Sequence, residues 1–308
     1  MSSAFIFPGQ GSQSIGMLAD LAAGYPLVEQ TFAEASEALG FDLWRVAQEG
    51  PEARLNSTDV TQPAMLAAGV ATYRVWLDQG GVPPALMAGH SLGEYSALTC
   101  AGAMQFSAAA RLVAARGRLM QEAVSADAGA MAALLGLDDD AVQTVCAEAA
   151  GGEVVDAVNF NSPGQVVIAG HRSAVERAVE LAKSRGAKRA VMLPVSVPSH
   201  CSLMRPAAEK LGQLLKEVDI GSPNIPVVNN VDVAAPSDPE EIRSALSRQL
   251  FSPVRWVETI RYLAQAGADR VVECGPGKVL VGLNKRINKE LKTVAVYDSA
   301  SLREALDN

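Results

Sequence analysis

The sequence predicts an α/β fold, in which a parallel sheet is covered by helices on both faces and a second, smaller domain is inserted. Short apolar runs that end in Gly or Pro alternate with segments of helical period, and this alternation is typical of parallel sheets. The pattern changes near residue 127 and changes back near residue 197. A length of 308 residues is enough for two domains with cores of their own.

The large domain is predicted to begin with a buried strand. Residues 4–7 (Ala-Phe-Ile-Phe) are apolar and end at Pro8-Gly9, which predicts a strand and a tight turn. Residues 85–89 (Ala-Leu-Met-Ala-Gly) predict another buried strand, which leads through residues 90–94 into a helix of small residues. The same patterns predict helices at 26–39, 62–78, 107–124, 204–218, 239–249, 253–266 and 278–290, and strands at 225–229 and 270–274.

The inserted domain contains six predicted strands and helices and one predicted turn. In order they are a strand at 129–137, a helix at 138–150, a strand at 153–160, a turn at 161–164, a strand at 165–170, a helix at 173–185 and a strand at 187–195. The order β-α-β-β-α-β is that of ferredoxin-like domains. We therefore expect a ferredoxin-like domain at 127–196 inside a discontinuous large domain made of residues 1–126 and 197–308.

Composition and charge argue against several classes of protein. The apolar fraction of 49% argues against a disordered chain, and the formal net charge of −8 argues against a general nucleic-acid binder. No uncharged apolar run is long enough for a membrane span, and the first residues lack the pattern of a signal peptide. The four cysteines form no CxxC pair, so we expect reduced thiols, a cytoplasmic protein and no metal site.

Gly89-His90-Ser91-Leu92-Gly93 is the sharpest motif of the chain. This G-x-S-x-G pattern lies between a predicted strand and a predicted helix, which is the context of a nucleophile elbow. The serine of an elbow projects at a helix N-terminus, where the helix dipole and the N–H of Leu92 can stabilise an oxyanion. An ordinary glycine-rich turn is the alternative interpretation.

A serine nucleophile needs a base, and the chain has three histidines. His90 is adjacent to Ser91, and neighbouring side chains on such a turn point apart, so we expect it to pack or to support the turn. His171 follows a strand of the small domain and is expected to be solvated. His200 lies in a loop after Pro198, and loops carry catalytic groups onto a rigid frame. By elimination His200 is the candidate base, and a structural histidine is the alternative.

One charged residue falls on the apolar face of the helix predicted at 107–124. At 100° per residue, Arg116 lies about 40° from Leu112, whereas Arg111 and Arg118 fall on the opposite face. A buried guanidinium needs an anion or a full set of hydrogen bonds, because its unpaired burial is too costly. Two interpretations stay open: a structural ion pair with a core carboxylate, or a bidentate clamp on a substrate carboxylate.

Two glycine-containing turns resemble phosphate-binding loops only superficially. Residues 8–13 (Pro-Gly-Gln-Gly-Ser-Gln) follow the first strand, and the amide of Gln10 is a candidate second oxyanion donor. No Gly-Lys-Ser/Thr follows, so this is not a P-loop. Residues 275–278 (Gly-Pro-Gly-Lys) lack the spacing as well and predict a turn and a helix start.

Several stretches together resemble the malonyl-CoA:acyl carrier protein transacylases of type II fatty-acid synthesis. They are residues 7–13 (FPGQGSQ), 61–64 (TQPA), 89–94 (GHSLGE), 116–121 (RGRLMQ), 158–165 (VNFNSPGQ), 197–200 (VPSH) and 273–277 (ECGPG). Their order over nearly the whole chain is far more specific than the elbow alone. The resemblance implies an α/β-hydrolase-like large domain with an inserted ferredoxin-like domain, in agreement with the boundaries given above.

The resemblance also implies a role for particular residues. Ser91 matches the nucleophile and His200 the general base, and Arg116 matches the residue that binds the malonyl carboxylate. Gln249, in Gln-Leu-Phe-Ser-Pro-Val, matches a glutamine whose backbone carbonyl orients the histidine, so a dyad is expected and no carboxylate third member. The implied oxyanion-hole amides and supporting residues are Gln10, Leu92, Gln62, Asn161 and Ser199.

The implied activity is malonyl transfer from malonyl-CoA to acyl carrier protein by a ping-pong route through a malonyl-serine. No cofactor is expected, since coenzyme A is part of the substrate and phosphopantetheine is carried by the partner. We expect a monomer that binds neither nucleic acid nor a membrane. The alternatives are a serine hydrolase or thioesterase, the transacylase subunit of a malonate-degrading complex, and a carrier-binding scaffold without activity.

Overall fold

The structure, a computed structural model, describes residues 2–125, 127–195 and 197–307. The first part of the chain contains β1 (Ser3–Phe7), α1 (Ala19–Gly24), α2 (Leu27–Leu39), α3 (Leu43–Glu49), α4 (Glu52–Leu55), α5 (Thr58–Asp78), β2 (Leu86–Gly89), α6 (Gly93–Cys100) and α7 (Phe106–Glu122). The middle part contains β3 (Gly129–Leu135), α8 (Asp139–Ala149), β4 (Val155–Ser162), β5 (Gln165–His171), α9 (Arg172–Ser184) and β6 (Arg189–Met192). The last part contains a 3-10 helix (Ser202–Met204), α10 (Arg205–Glu217), β7 (Val227–Val228), α11 (Pro239–Gln249), α12 (Trp256–Gln265), β8 (Arg270–Cys274), α13 (Val279–Ile287), β9 (Lys292–Val296) and α14 (Ser299–Asp307).

These strands form two sheets. Five of them make a parallel sheet in the order β7-β2-β1-β8-β9. The other four make an antiparallel sheet in the order β4-β5-β3-β6, with α8 and α9 packed on one face. The predicted fold class is confirmed: an α/β-hydrolase-like parallel sheet forms the large domain, and a ferredoxin-like domain is inserted into it.

The central strand β1 shows why the parallel sheet needs helices on both faces. Successive side chains of a strand point to opposite faces. Phe5 and Phe7 lie in the core beneath α5, where Phe5 makes edge contacts with Tyr73 and Trp76 at ring distances of 5.8 and 5.2 Å. Ala4 and Ile6 lie in a second core on the other face, formed mainly with α12 and α13. A strand buried on both faces is continuously apolar, as the sequence predicted.

The small domain meets the large domain along β4. The N–H of Phe160 donates to the carbonyl of Val254 (3.0 Å), and the N–H of Val254 donates to the carbonyl of Val158 (2.9 Å). The sheet face opposite α8 and α9 packs around Cys201, which belongs to the segment that returns to the large domain. The start of that returning segment, which carries His200, is therefore held between the two domains.

Some predicted elements have different ends in the structure. The helix expected at 253–266 is α12 and begins at Trp256, because Val254 stays extended to pair with β4. The turn expected at 161–164 is shorter, since β4 continues to Ser162 through a bulge that lets this residue pair with Gln165. The strand expected at 187–195 is the four-residue β6. The predicted domain boundaries fall on residues 126 and 196, which lie outside the described residues, so that division stays a prediction.

Several short helices and strands are not indicated by the sequence patterns. The sequence does not predict α1, α3, α4, β9 or α14, and the strand expected at 225–229 spans only the two residues of β7. β9 is an edge strand that pairs with β8 alone, and its apolar run is too short to be distinguished from a loop. Within the described ranges no helix is long and apolar enough to cross a membrane.

The predicted turn at 275–278 leads into α13, whose start is held by a buried carboxylate. Glu273 of β8 is fully buried and accepts hydrogen bonds from the N–H groups of Leu280 (3.1 Å) and Val281 (2.8 Å). These N–H groups belong to the first turn of the helix, which has no partner for them within the helix. Burial raises the pKa of Glu273 to about 7. This carboxyl group therefore stabilises the start of α13, and it lies far from the elbow along the chain.

Candidate active site

The G-x-S-x-G segment forms the predicted strand-turn-helix elbow between β2 and α6. Ser91 has a φ of 52°, in the left-handed region that non-glycine residues rarely adopt. The flanking glycines are required by space: a Cβ on Gly89 would lie 1.8 Å from the carbonyl carbon of Gly93, and one on Gly93 would lie 2.0 Å from the carbonyl oxygen of Phe7. The turn thus holds the partly exposed Ser91 at the N-terminus of α6.

Asn230, which follows β7, holds the elbow in place. Its Oδ1 accepts from the N–H of Ser91 and its Nδ2 donates to the carbonyl of Gly89, both at 2.7 Å. This residue was not predicted from the sequence. Its position was a usable indication, since a buried asparagine directly after a parallel strand lies at the same sheet edge as the elbow.

His200 is within hydrogen-bond distance of the serine. Its Nε2 lies 2.8 Å from Ser91 Oγ, and its Nδ1 lies 2.8 Å from the carbonyl oxygen of Gln249. A carbonyl only accepts, so Nδ1 carries the proton of the neutral ring and Nε2 is free to accept the serine proton. Burial, and secondly the positive charge of Arg116, lower the pKa of His200 to about 3. The ring is therefore neutral at physiological pH, which is the form a base needs.

The rings of the other two histidines make their hydrogen bonds to other residues. His90 Nε2 donates to Asn161 Oδ1 (2.8 Å), and its ring packs 5.4 Å from the ring of Trp256. His171 ends β5, where its Nδ1 accepts from the N–H of Val154 (2.9 Å). The expectation that His171 is merely solvated is wrong, because the ring is half-buried and bonds to the backbone.

Arg116 is buried, as its position on the helix predicted, with 1% of its surface exposed. Nη1 donates to Gln62 Oε1 (2.9 Å) and Nη2 to Gln249 Oε1 (3.0 Å), while Nη2 also lies 3.4 Å from Ser91 Oγ. The guanidinium stands 5.3 Å from the ring centre of Tyr95. Among the described residues no carboxylate forms an ion pair with it, so the structural ion pair with a core carboxylate is wrong.

One candidate oxyanion donor belongs to the elbow, and the other belongs to a loop that packs against it. Leu92 directly follows Ser91 and precedes α6. The loop with Gln10 packs against the elbow so tightly that a Cβ on Gly9 would lie 2.5 Å from the carbonyl oxygen of His90. Within the described parts of the chain, the backbone N–H of neither Gln10 nor Leu92 donates to a protein acceptor. Both groups are therefore free for an external oxygen.

The residues expected to give support differ in their placement. Gln62 contacts Arg116 directly, and Asn161 reaches the elbow through His90. The N–H of Ser199 donates to the carbonyl of Val197 (2.9 Å), but its hydroxyl makes no hydrogen bond to any described residue. The structure therefore connects Gln62 and Asn161 to the site by hydrogen bonds, and a supporting role for Ser199, which directly precedes His200, stays a prediction. Over the described ranges, no group of three His, Cys, Asp or Glu side chains is placed to hold a metal ion.

Comparisons with known proteins agree with this geometry. The profile of the acyl transferase domain family matches residues 4–304. The malonyl CoA-acyl carrier protein transacylase of Escherichia coli K12 is 59% identical over 304 residues, which cover 99% of this chain and 98% of that protein. The Bacillus subtilis protein of the same name is 45% identical, with coverage of 98% and 96%. The chain belongs to the malonyl-CoA:acyl carrier protein transacylases.

Solved structures of this transacylase family have the same fold. The acyl carrier protein S-malonyltransferase of Vibrio cholerae has a TM-score of 0.97 and 59% identity, with coverage of 99% of this chain and 100% of that one. A malonyl-transacylase in complex with its holo type II PKS acyl carrier protein has a TM-score of 0.99 and 58% identity, with full coverage of both chains. The chain is accordingly an acyltransferase.

A buried polar network connects the residues of this transacylase site, and the sequence showed only part of it. Gln249 bonds to Arg116, to Glu94 Oε2 (2.8 Å) and to the carbonyl of Ser91 (3.1 Å). Glu94 Oε2 also accepts from the N–H of Asn230 (2.9 Å). The resemblance had indicated only the backbone carbonyl of Gln249. Its side chain and the buried Glu94 had no assigned contact before the structure.

Proposed function

We propose that this chain transfers the malonyl group of malonyl-CoA to the phosphopantetheine thiol of acyl carrier protein, through a malonyl ester on Ser91. The product supplies extender units for fatty-acid synthesis. The observation that carries the proposal is the buried Arg116, a cation 3.4 Å from the Ser91 hydroxyl whose hydrogen-bond acceptors are neutral. Such a cation selects acyl groups that bring an anion of their own.

The first half-reaction begins with proton transfer. His200 Nε2 accepts the proton of Ser91 as Oγ attacks the thioester carbonyl. The resulting imidazolium then gives the proton to the departing thiolate of coenzyme A. The Gln249 carbonyl holds the ring and accepts from Nδ1–H throughout. This is a dyad, since the third group is a backbone carbonyl and carries no charge.

The negative oxygen of the tetrahedral intermediate needs donors that are already in place. The N–H groups of Gln10 and Leu92 donate to no acceptor among the described residues, and the N-terminus of α6 adds its partial positive charge. Removing one oxyanion donor typically costs about 10²–10³ in rate. Because both donors belong to the backbone, their contribution does not depend on side-chain identity.

Selection of the malonyl group is assigned to the guanidinium. In a malonyl ester of Ser91, one CH₂ group separates the carboxylate from the ester carbonyl. This carboxylate is within reach of the Arg116 guanidinium, which already contacts Ser91 Oγ. The bidentate pair of Arg116 with that carboxylate satisfies the buried charge. An acetyl group leaves the cation unpaired and gains nothing from it, so the site favours malonyl.

The second half-reaction reverses the first with a new thiol. The phosphopantetheine thiol of the carrier loses its proton to His200 and attacks the malonyl ester, and Ser91 regains its proton as it leaves. Coenzyme A and the carrier thus occupy the site in turn, which predicts ping-pong kinetics. No cofactor of the chain takes part. Cytoplasmic location, the monomeric state, and supporting roles for Gln62, Asn161 and Ser199 stay predictions.

The ratio of transfer to hydrolysis distinguishes this proposal from a hydrolase. With malonyl-CoA and holo acyl carrier protein, we expect malonyl-carrier to form much faster than free malonate, both followed by chromatography. With carrier omitted, malonate release should stay slow. Malonate release that matches or exceeds carrier malonylation would indicate a thioesterase. Rapid transfer only to the carrier of a malonate-degrading complex would assign the chain to that pathway.

A further inference from the structure

The side-chain amide of Gln249 is held in one orientation. Its Oε1 accepts from Arg116 Nη2 (3.0 Å), while its Nε2 donates to Glu94 Oε2 (2.8 Å) and to the carbonyl of Ser91 (3.1 Å). If the amide turned over, its NH₂ group would face the guanidinium, and two sets of donors would meet without an acceptor. The direction of this one amide therefore decides whether Arg116 has its second acceptor.

Glu94 supplies the acceptor that fixes this direction. It lies in the first turn of α6, is 1% exposed, and uses Oε2 to accept from both Gln249 Nε2 and the N–H of Asn230 (2.9 Å). Burial raises the pKa of Glu94 to about 7, and the two hydrogen bonds and the charge of Arg116 oppose this rise. The carboxylate is thus stabilised by the same groups that it orients.

We propose that Glu94 is a positioning residue for acyl selection, which acts through the side chain of Gln249 to keep the Arg116 guanidinium aimed at the substrate carboxylate. The inference rests on the proposed function. The amide of Gln249 lies between the two side chains, so Glu94 orients an acceptor of Arg116 without pairing with the guanidinium directly. A direct pair would compete with the substrate carboxylate, whereas a neutral acceptor leaves the full charge available.

The first acceptor of Arg116 is oriented in the same way. Gln62 Oε1 accepts a hydrogen bond from the guanidinium, and Gln62 Nε2 donates to the sulfur of Met120 (3.4 Å). A thioether only accepts, so it also fixes the direction of its amide. Both amides that hold the arginine are therefore set by acceptors behind them, and the stronger of those acceptors is the carboxylate of Glu94.

The test compares Glu94→Gln with Glu94→Asp. The Gln variant keeps an oxygen that can accept both hydrogen bonds, so we expect its preference for malonyl-CoA over acetyl-CoA to stay within about twofold of wild type. The Asp variant keeps the charge but is one methylene shorter and cannot reach both donors. Its kcat/KM for malonyl-CoA should fall by about tenfold to a hundredfold, and its kcat/KM for acetyl-CoA should fall by clearly less.

A double-mutant cycle shows whether the effect passes through Gln249. Gln249→Ala removes the amide but keeps the backbone carbonyl that contacts His200. In that background Glu94→Asp should cause little further loss for malonyl-CoA, because the amide it acts on is gone. The proposal would be overturned if the losses in kcat/KM from Glu94→Asp and Gln249→Ala multiplied in the double variant. It would also be overturned if Glu94→Asp kept the wild-type preference for malonyl-CoA, or if Glu94→Gln lost that preference.

Glu273→Asp is the matched control. Glu273 is likewise a fully buried carboxylate that accepts two N–H bonds, but it holds the start of α13. This change should lower the melting temperature and leave the preference for malonyl over acetyl unaltered. A wild-type protein that forms no malonyl-enzyme would contradict the proposed function itself. An active wild type with equal losses for both acyl donors in the Asp variant contradicts only the role of Glu94.

Discussion

Replacing His200 with alanine is expected to slow malonylation of Ser91 by about 10³- to 10⁶-fold. The histidine is the group whose nitrogen lies 2.8 Å from Ser91 Oγ with a lone pair available, since the Gln249 carbonyl holds the proton on the other nitrogen. Without it the hydroxyl must lose its proton to water. The rate of malonyl-enzyme formation, measured by rapid quench and mass spectrometry, checks this expectation.

His171→Ala is the control for His200, since His171 lies at the end of β5 and its ring bonds to the backbone of Val154 in the small domain. It should change the acylation rate little. A His200→Ala variant that acylates at the rate of His171→Ala would remove His200 from the mechanism. Rescue of the alanine variant by added imidazole would further support its role as a base.

The acylation rate should also be insensitive to mild acid. Burial and the charge of Arg116 lower the pKa of His200 to about 3, so the neutral base persists as the pH falls and is lost only as the pH approaches that value. Glu94, with a pKa of about 7, is another group at the site that titrates, so the test uses a variant without this carboxyl. In Glu94→Gln, kcat/KM for malonyl-CoA should stay level from about pH 8 to 5. A loss centred near 6.5, the usual pKa of histidine, would contradict the lowered value.

Replacing Arg116 with alanine should lower kcat/KM for malonyl-CoA by about 10²- to 10⁴-fold, since removing one partner of a buried charge pair costs about 3–5 kcal/mol. Acetyl-CoA has no carboxylate, so its transfer should change much less. The two donors are compared by their initial rates of enzyme acylation. The preference for malonyl, and not the overall rate alone, is the property that this residue confers.

Arg118→Ala is the matched control on the same helix. Arg118 is exposed on the opposite face of α7, so its loss should leave both donors unaffected. Equal losses of kcat/KM for malonyl-CoA and acetyl-CoA in Arg116→Ala would show that the arginine supports the fold or Ser91 and does not bind the substrate carboxylate. Arg116→Lys should restore only part of the malonyl rate, because an ammonium cannot make the planar bidentate pair.

The sequence predicted those parts of the site that depend on a short motif or on the periodicity of one helix. Ser91 was found because an elbow needs glycines on both sides, and the structure shows the close contacts that exclude a Cβ at Gly89 and Gly93. The burial of Arg116 was found because a helix places every residue at a known angle. His200 was found because the chain has few histidines to choose from.

Other parts depend on contacts between distant segments and had no local pattern. Gln249 offers a backbone carbonyl to His200, and any residue has such a carbonyl, so only the family resemblance indicated it. Asn230 and Glu94 meet 136 positions apart in the chain. Their pairing follows from the neighbouring positions of β7 and β2 in the sheet, which periodicity does not give.

The central claim is that Ser91 carries the malonyl group between the two thiols. Intact mass spectrometry of wild type and Ser91→Ala, each mixed with malonyl-CoA without carrier, tests it most directly. We expect a malonyl-sized adduct on the wild type that is absent from the variant and disappears when holo acyl carrier protein is added. An adduct of the same size on Ser91→Ala, or a wild type that malonylates the carrier without ever holding the acyl group, would contradict the account.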